Sequence, residues 1–143
     1  MSLLDSLGAT ESLGRDLARL LVPGDSILLA GPLGAGKTAL ARALLRAACD
    51  DPALEVPSPS YTLVQSYDAP GFAIAHFDLW RLDGPAGLIE LGWDEARAGV
   101  VLVEWPDRLG HLTPDDALTV DLQPIAGEAE RREVTLTGWA SRL

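Results

Sequence analysis

The spacing of apolar and polar positions along this chain changes several times, and each change predicts an element. Ser26, Ile27, Leu28, Leu29 and Ala30 form an apolar run of the kind found in a strand buried on both faces of a parallel sheet. Before it, Leu13, Leu17, Leu20 and Leu21 recur at helical spacing and give one apolar face, with Thr10 as the N-cap and Glu11 in the first turn. Val22, Pro23, Gly24 and Asp25 then make the turn into the strand. Lys37 through Cys49, rich in Ala, Leu and Arg, reads as a second helix. The acidic, Pro-rich stretch from Asp50 to Pro59 cannot extend it. Ser60 to Tyr67 has the aromatic and β-branched content of a strand. Asp68, Ala69, Pro70 and Gly71 form a turn, and Phe72 to Asp78 returns, which together predicts an antiparallel hairpin.

Glycines at Gly84, Gly87 and Gly92 divide the next stretch into short helices around Leu88 to Leu91 and Trp93 to Arg97. Val100 to Val103 is a short, wholly apolar strand that stops at Glu104. Trp105, Pro106 and Asp107 leave it as a loop, and the stretch to Pro114 reads as irregular. Ala117 to Leu122 and Glu133 to Thr137 alternate as strands of a terminal hairpin joined through Pro124, Ala126, Gly127 and Glu128. There is no internal repeat, no low-complexity segment and no linker long enough to separate a pair of domains, so residues 1–143 are expected to form one domain.

Composition narrows the class. With 48% hydrophobic and 22% charged residues the chain is expected to be a soluble globular protein. No apolar run approaches the roughly 18 residues of a membrane span. The start, Met1, Ser2, Leu3, Leu4, Asp5, lacks the positive charge of a signal peptide, so a cytoplasmic location and no membrane partner are expected. The single Cys49 has no partner for an internal disulfide and reads as a packing residue. The net charge of −10, from 11 Lys plus Arg against 21 Asp plus Glu, argues against nucleic-acid binding by the chain's own surface, because neutralising phosphates supplies most of such affinity.

The chemistry is concentrated between the buried strand and the second helix. Gly31, Pro32, Leu33, Gly34, Ala35, Gly36, Lys37 and Thr38 match the phosphate-binding pattern G-x-x-x-x-G-K-[ST]. The glycines let the backbone curl so that its N–H groups point inward at an anion, and the following helix aims its positive end at the same place. Lys37 would reach the β- and γ-phosphates, and Thr38 would give a hydroxyl to magnesium. A carboxylate at the end of an adjacent buried strand completes such a site, and two qualify. Glu104 ends the more apolar run and is the preferred metal partner. Asp78 ends a strand whose alternation suggests a more peripheral position, and is the second acid, near the γ-phosphate or the attacking water. Ser60 and Thr62 follow a Pro-rich loop that could fold over phosphates. His76 and the four tryptophans, Trp80, Trp93, Trp105 and Trp139, are assigned first to packing or interfaces.

Taken together, these motifs resemble one family, the small bacterial ATPases of tRNA threonylcarbamoyladenosine biosynthesis known as TsaE. The matching segments are Pro23-Gly24-Asp25, LGAGKT at Leu33 to Thr38, SPSYTLV at Ser58 to Val64, HFDLWRL at His76 to Leu82, ELGWDE at Glu90 to Glu95 and VEWPDRL at Val103 to Leu109. They run from Thr10 to about Arg108, and their order and spacing are far more specific than the phosphate loop alone. The resemblance implies an α/β phosphate-loop NTPase fold, a single three-layer domain whose mostly parallel central sheet carries antiparallel strands. It implies ATP hydrolysis with Mg2+, and ATP/ADP as ligands. It also implies work with a threonylcarbamoyl-transferase subunit and its paralogous companion protein, tRNA being met only through that complex. Carried onto this chain, Lys37 and Thr38 take the phosphate and magnesium roles. Glu104 is the second magnesium ligand, Asp78 an acid needed for hydrolysis, and Thr62 a switch-like threonine. Gly31, Leu33, Gly34, Ala35, Gly36 and Ala39 surround the phosphates, while Ser6 to Glu11, including Thr10, lies toward the base.

Three positions depart from the family pattern. Pro32 stands where Asp is common, Ala39 where a second Thr often follows the loop, and Trp80 where Tyr is usual. Two other readings use the same loop, a small-molecule kinase and a nucleotide-gated binding module without significant catalysis. The kinase would need an Arg-rich lid, and Arg81, Arg97 and Arg108 are scattered.

Overall fold

The computed structural model describes residues 2–57 and 62–143, arranged around one seven-stranded sheet. In chain order the strands are β1 (Ser2–Leu4), β2 (Ser26–Ala30), β3 (Val64–Ala69), β4 (Phe72–Asp78), β5 (Val100–Glu104), β6 (Leu118–Ile125) and β7 (Glu128–Thr137). Their order across the sheet is β1-β7-β6-β2-β5-β4-β3. The central four, β6, β2, β5 and β4, run parallel, while β3 at one edge and β7 with β1 at the other pair antiparallel. This is the mostly parallel sheet with antiparallel additions that the sequence led us to expect.

Helices cover both faces and make three layers. α1 (Leu7–Ala18) and α2 (Lys37–Ala48) lie on one face, where Leu17, Leu40 and Leu44 bury against Ile27, Leu29 and Leu102. The opposite face is covered by α3 (Ala86–Glu90), α4 (Trp93–Ala96) and a 3-10 helix over Pro106–Leu112. There Leu88, Trp93 and Leu109 pack on Leu28, Phe77, Val101 and Val103, with the Phe77 and Trp93 rings edge-on at 5.2 Å. Alternate residues of β5 thus feed opposite cores, which is why the strand is apolar throughout, and burial of each such side chain stabilises by about 1.5–3 kcal/mol.

The elements differ from the sequence reading in several places. The terminal hairpin is longer than expected, β6 continuing through Pro124 to Ile125 and β7 beginning at Glu128 and not at Glu133. α1 is capped by Ser6, whose Oγ accepts from the Ala9 amide at 3.1 Å. Thr10 therefore lies inside the helix, buried, with its hydroxyl donating to the Ser6 carbonyl at 3.4 Å. Leu20 and Leu21 follow the helix end instead of belonging to it. β3 begins at Val64, after a left-handed Leu63 that interrupts the extended backbone; Ser60 lies outside the described residues. β4 is an inner strand between β3 and β5, not a peripheral one, and its last five residues are buried. The stretch after Trp105, read as irregular, winds into 3-10 helix from Pro106, whose fixed φ suits a first helical position. The short β1 carries no periodic signal and is held by pairing with β7, Ser2 to Leu4 opposite Val134 to Arg132, and by burial of Leu4 in the core.

Cys49 is half-buried as the C-cap of α2, and burial followed by the charges of Asp68 and Asp51 pushes its thiol pKa up. Among the described residues no helix is long and apolar enough to cross a membrane.

Candidate functional site

The site is built where the parallel strands end. β2 runs out at Ala30, the chain turns through Gly31, and α2 starts at Lys37. Gly31 has φ +135°, and a Cβ there would drive into the carbonyl oxygen of Leu122, so the turn needs glycine both for its torsion and for its room. Gly36 caps α2 in a left-handed conformation with no side-chain hydrogen bond. The positive end of the helix is thereby left to whatever lies in front of it.

A cleft of about 660 Å³ opens at that point. Leu33, Gly34, Gly36, Lys37, Thr38 and Ala39 form one wall, and Asp78, Glu104, Trp80 and Trp105 face them. Parallel pairing sets Asp78 directly beside Glu104 on neighbouring strands, and Glu104 beside Leu29 near the end of β2. Both acids are 5% exposed, so each carboxylate comes out of a buried strand end into the cleft wall. Asp78 accepts from the Trp80 amide at 3.1 Å. Glu104 Oε2 lies 2.8 Å from His76 Nε2, and both side chains are buried. The other ring nitrogen, Nδ1, has no partner among the described residues. A carboxylate oxygen can only accept, so the contact is an Nε2–H of His76 donating to Glu104. His76 is thus a packed histidine, as the sequence suggested, but one that holds the preferred metal acid.

Lys37 is also buried, and two contacts share its ammonium. Nζ donates to the Gly31 carbonyl at 2.6 Å and sits 3.9 Å from the centroid of the Trp105 ring. Burial lowers its pKa from the usual 10.5, outweighing the opposing pull of Glu104, Asp78 and Asp107. Trp105 reaches this place from a left-handed backbone, φ 58° and ψ 55°, and its ring stacks obliquely on Trp80 at 4.7 Å. Such torsions in a non-glycine residue cost on the order of 1–2 kcal/mol, which the surrounding contacts must hold in place.

The predicted positions separate into three groups. Lys37, Thr38, Asp78, Glu104, Leu33, Gly34, Gly36 and Ala39 meet at the cleft. Gly31 and Ala35 support it from beneath, Ala35 being buried in the core, and Thr10 lines a small adjoining notch with Gly36 and Ala39. Thr62 is not brought in: it is exposed in the turn before β3, accepting from Gln65 Nε2 at 3.2 Å, and is absent from the cleft walls. Pro32, in place of an acid, contributes its carbonyl, which accepts from the Ala35 amide at 3.2 Å. One residue escapes the sequence reading altogether. Arg132, on β7, lines the cleft and donates to the Ala35 and Gly34 carbonyls. In the sequence it falls between the turn expected at Glu128 and the strand expected from Glu133, in a stretch assigned to no element.

A magnesium nucleotide suits these residues. The helix end offers amides without a side-chain cap, Lys37 offers a buried cation, and Thr38, Asp78 and Glu104 offer the oxygen donors a hard divalent ion takes. Among the described residues no group of three or more His, Cys, Asp or Glu forms a metal cluster by itself. An ion here would draw its remaining ligands from phosphate oxygens and water. Arg97 is engaged with Ser26 and the Gly24 carbonyl, and Arg108 with the Leu82 carbonyl, so of the three scattered arginines only Arg81 lines the cleft.

A parallel sheet ending in a glycine-rich loop, with helix, lysine, threonine and strand-end acids behind it, defines a protein of the phosphate-loop NTPase fold. YdiB of Bacillus subtilis, a solved structure, superposes with a TM-score of 0.78 over 99% of this chain and 86% of that one, at 24% identity, and so shares the fold. The family described as threonylcarbamoyl adenosine biosynthesis protein TsaE matches residues 4–134, and the chain belongs to that family. Relatives named tRNA threonylcarbamoyladenosine biosynthesis protein TsaE include one from Rickettsia conorii, 38% identical over 87% of this chain and 71% of its own length. Others come from Rickettsia bellii, 36% identical over 94% and 93%, and from Streptomyces coelicolor, 35% identical over 92% of each.

Proposed function

We propose that this chain is a magnesium-dependent, partner-stimulated ATPase of tRNA threonylcarbamoyladenosine formation. In this reading it acts on a threonylcarbamoyl-transferase subunit and its paralogous companion and meets tRNA only through them. Family membership supports the pathway. The observation that carries the ATPase is the convergence of Lys37 and Thr38 with two register-paired acids, Asp78 and Glu104, on one cleft.

Lys37 would give up its contact with the Gly31 carbonyl to meet the phosphates, and the amides from Gly34 to Thr38, apart from that of Ala35, which closes the turn on Pro32, would cradle them. Thr38 and Glu104 would hold a magnesium ion, which would supply charge neutralisation to the phosphates. His76 keeps Glu104 turned to one orientation by donating to Oε2. Asp78 orients water toward the γ-phosphate. The high negative charge fits a subunit that leaves tRNA contact to others.

A nucleotide-gated module without catalysis would use the same loop, and one assay separates the two readings. ATP turnover and binding are measured for wild type and Lys37→Ala, alone and with the two partner proteins. Turnover that rises with the partners and vanishes in Lys37→Ala is expected. Tight binding with no turnover under either condition would favour the module, and normal magnesium-dependent turnover in Lys37→Ala would overturn the site.

A further inference from the structure

We infer that Arg132 is a positioning residue for the phosphate nest, acting by fixing the peptide planes of the loop and without touching the nucleotide. The inference rests on the reading that the loop binds phosphate. The guanidinium donates from Nε to the Ala35 carbonyl at 2.8 Å and from Nη2 to the Gly34 carbonyl at 3.2 Å. Its Nη1 donates back to its own strand, to the Ala129 and Arg131 carbonyls, both at 2.9 Å. Four of the five N–H groups of the planar fork therefore go to carbonyl oxygens, with no carboxylate among these acceptors.

The geometry says what this does. A trans peptide points its N–H opposite to its C=O, so holding the Ala35 carbonyl toward β7 turns the Gly36 amide the other way. Likewise, holding the Gly34 carbonyl fixes the Ala35 amide, which is seen donating to Pro32 at 3.2 Å and so closes the turn within the loop. Gly36 has the left-handed torsion that starts α2, and a Cβ there would stand 3.4 Å from Arg132 Nε, so loop and guanidinium are in close contact. An empty anion nest is unfavourable, because its amides converge with no acceptor between them. A cation on the carbonyl side of the same peptides offsets that cost before the phosphate arrives, which is preorganisation.

The base of the lever is rigid. Arg132 lies opposite Leu4 of β1 on one side and Pro124 of β6 on the other, so its backbone is held from both. The same strand also ties down the start of α1, through Glu130 Oε1 accepting from the Leu7 amide at 3.0 Å. β7 thus braces the loop and the helix on either side of the notch formed by Leu7, Thr10, Gly36 and Ala39.

The test compares ADP with adenosine in NMR titrations of wild type, Arg132→Gln and Arg132→Lys, with melting temperatures for each. Arg132→Gln is expected to bind magnesium ADP about tenfold more weakly while adenosine, which has no phosphate for the nest, binds as in wild type. Arg132→Lys, with the charge but not the fork, is expected to remain as weak toward ADP as Arg132→Gln. Arg132→Lys also serves as the informative variant should Arg132→Gln fold poorly. Unchanged ADP affinity in both variants would overturn the inference. So would a parallel loss of adenosine, which would place the side chain on the nucleoside, or full rescue by lysine, which would make it a simple charge. Wild type that binds neither ligand would sink the phosphate-loop reading itself, and the inference with it.

Discussion

The two halves of the sheet serve one cleft in different ways. On the parallel side, β4 and β5 deliver Asp78 and Glu104 at their carboxyl ends, each acid emerging from a strand end that is buried. On the antiparallel side, β7 delivers Arg132 from its middle, through a long side chain that reaches over the strand face to the loop. The first arrangement places short side chains by burial and register, and the second places a long one by hydrogen bonding alone. Chemistry at the end of a buried strand leaves an apolar run in the sequence that stops at a charged residue. Chemistry carried by a long side chain on a half-exposed strand leaves no such mark.

Breaking the core under each half should show the difference most plainly. Leu102→Ala, in the centre of the parallel strands and fully buried, is expected to cost about 3 kcal/mol in urea unfolding. Val134→Ala, under the terminal hairpin, is expected to cost about 1 kcal/mol, since it removes less volume from a layer closer to the edge. Equal losses would mean that the hairpin is as deeply set as the central strands.

Smaller in energy but sharper in chemistry is Glu104. Glu104→Gln keeps an acceptor for His76 while removing the charge, so we expect stability within about 0.5 kcal/mol of wild type and ATP turnover lower by roughly a hundredfold. Glu104→Ala leaves the His76 N–H buried without an acceptor and is expected to cost a further 1–3 kcal/mol or so. Turnover unchanged in Glu104→Gln would move the metal role to Asp78.

The smallest effect is protonic. Because burial lowers the Lys37 pKa, the unfolded chain holds this proton more tightly than the folded one between the depressed value and 10.5. Lys37 therefore makes the empty protein more stable as pH rises through that interval. Nucleotide binding has the opposite sign: phosphate restores the ammonium, so binding takes up protons there and affinity falls as pH rises. Calorimetry at a series of pH values below 10.5, in buffers of different ionisation enthalpy, measures the uptake, which should vanish in Lys37→Ala.

How much is legible in the sequence follows the same division. The GPLGAGKT loop, its strand and its helix can be read to within one residue, because the torsions and the chemistry demand particular side chains. Glu104 is legible from the apolar run before it. Asp78 is legible too, but β4 reads as peripheral when it is an inner strand, since Ala73 and Ala75 mimic the alternation of a half-exposed strand. The helix cap reads four residues late because Ser6 and Thr10 both look like caps locally, and only the fold shows which hydroxyl meets a free amide. Arg132 is not legible at all, for its meaning lies in carbonyls almost a hundred positions away.

The claim that most of this depends on is that the metal of a bound nucleotide is shared between the loop and the end of β5. A crystal structure with manganese ADP, located by anomalous scattering, measures it directly. The account predicts the manganese between the Thr38 hydroxyl and the Glu104 carboxylate, with Lys37 moved from the Gly31 carbonyl to the phosphates. Manganese bound elsewhere, with Glu104 and Lys37 keeping their present partners, would contradict it.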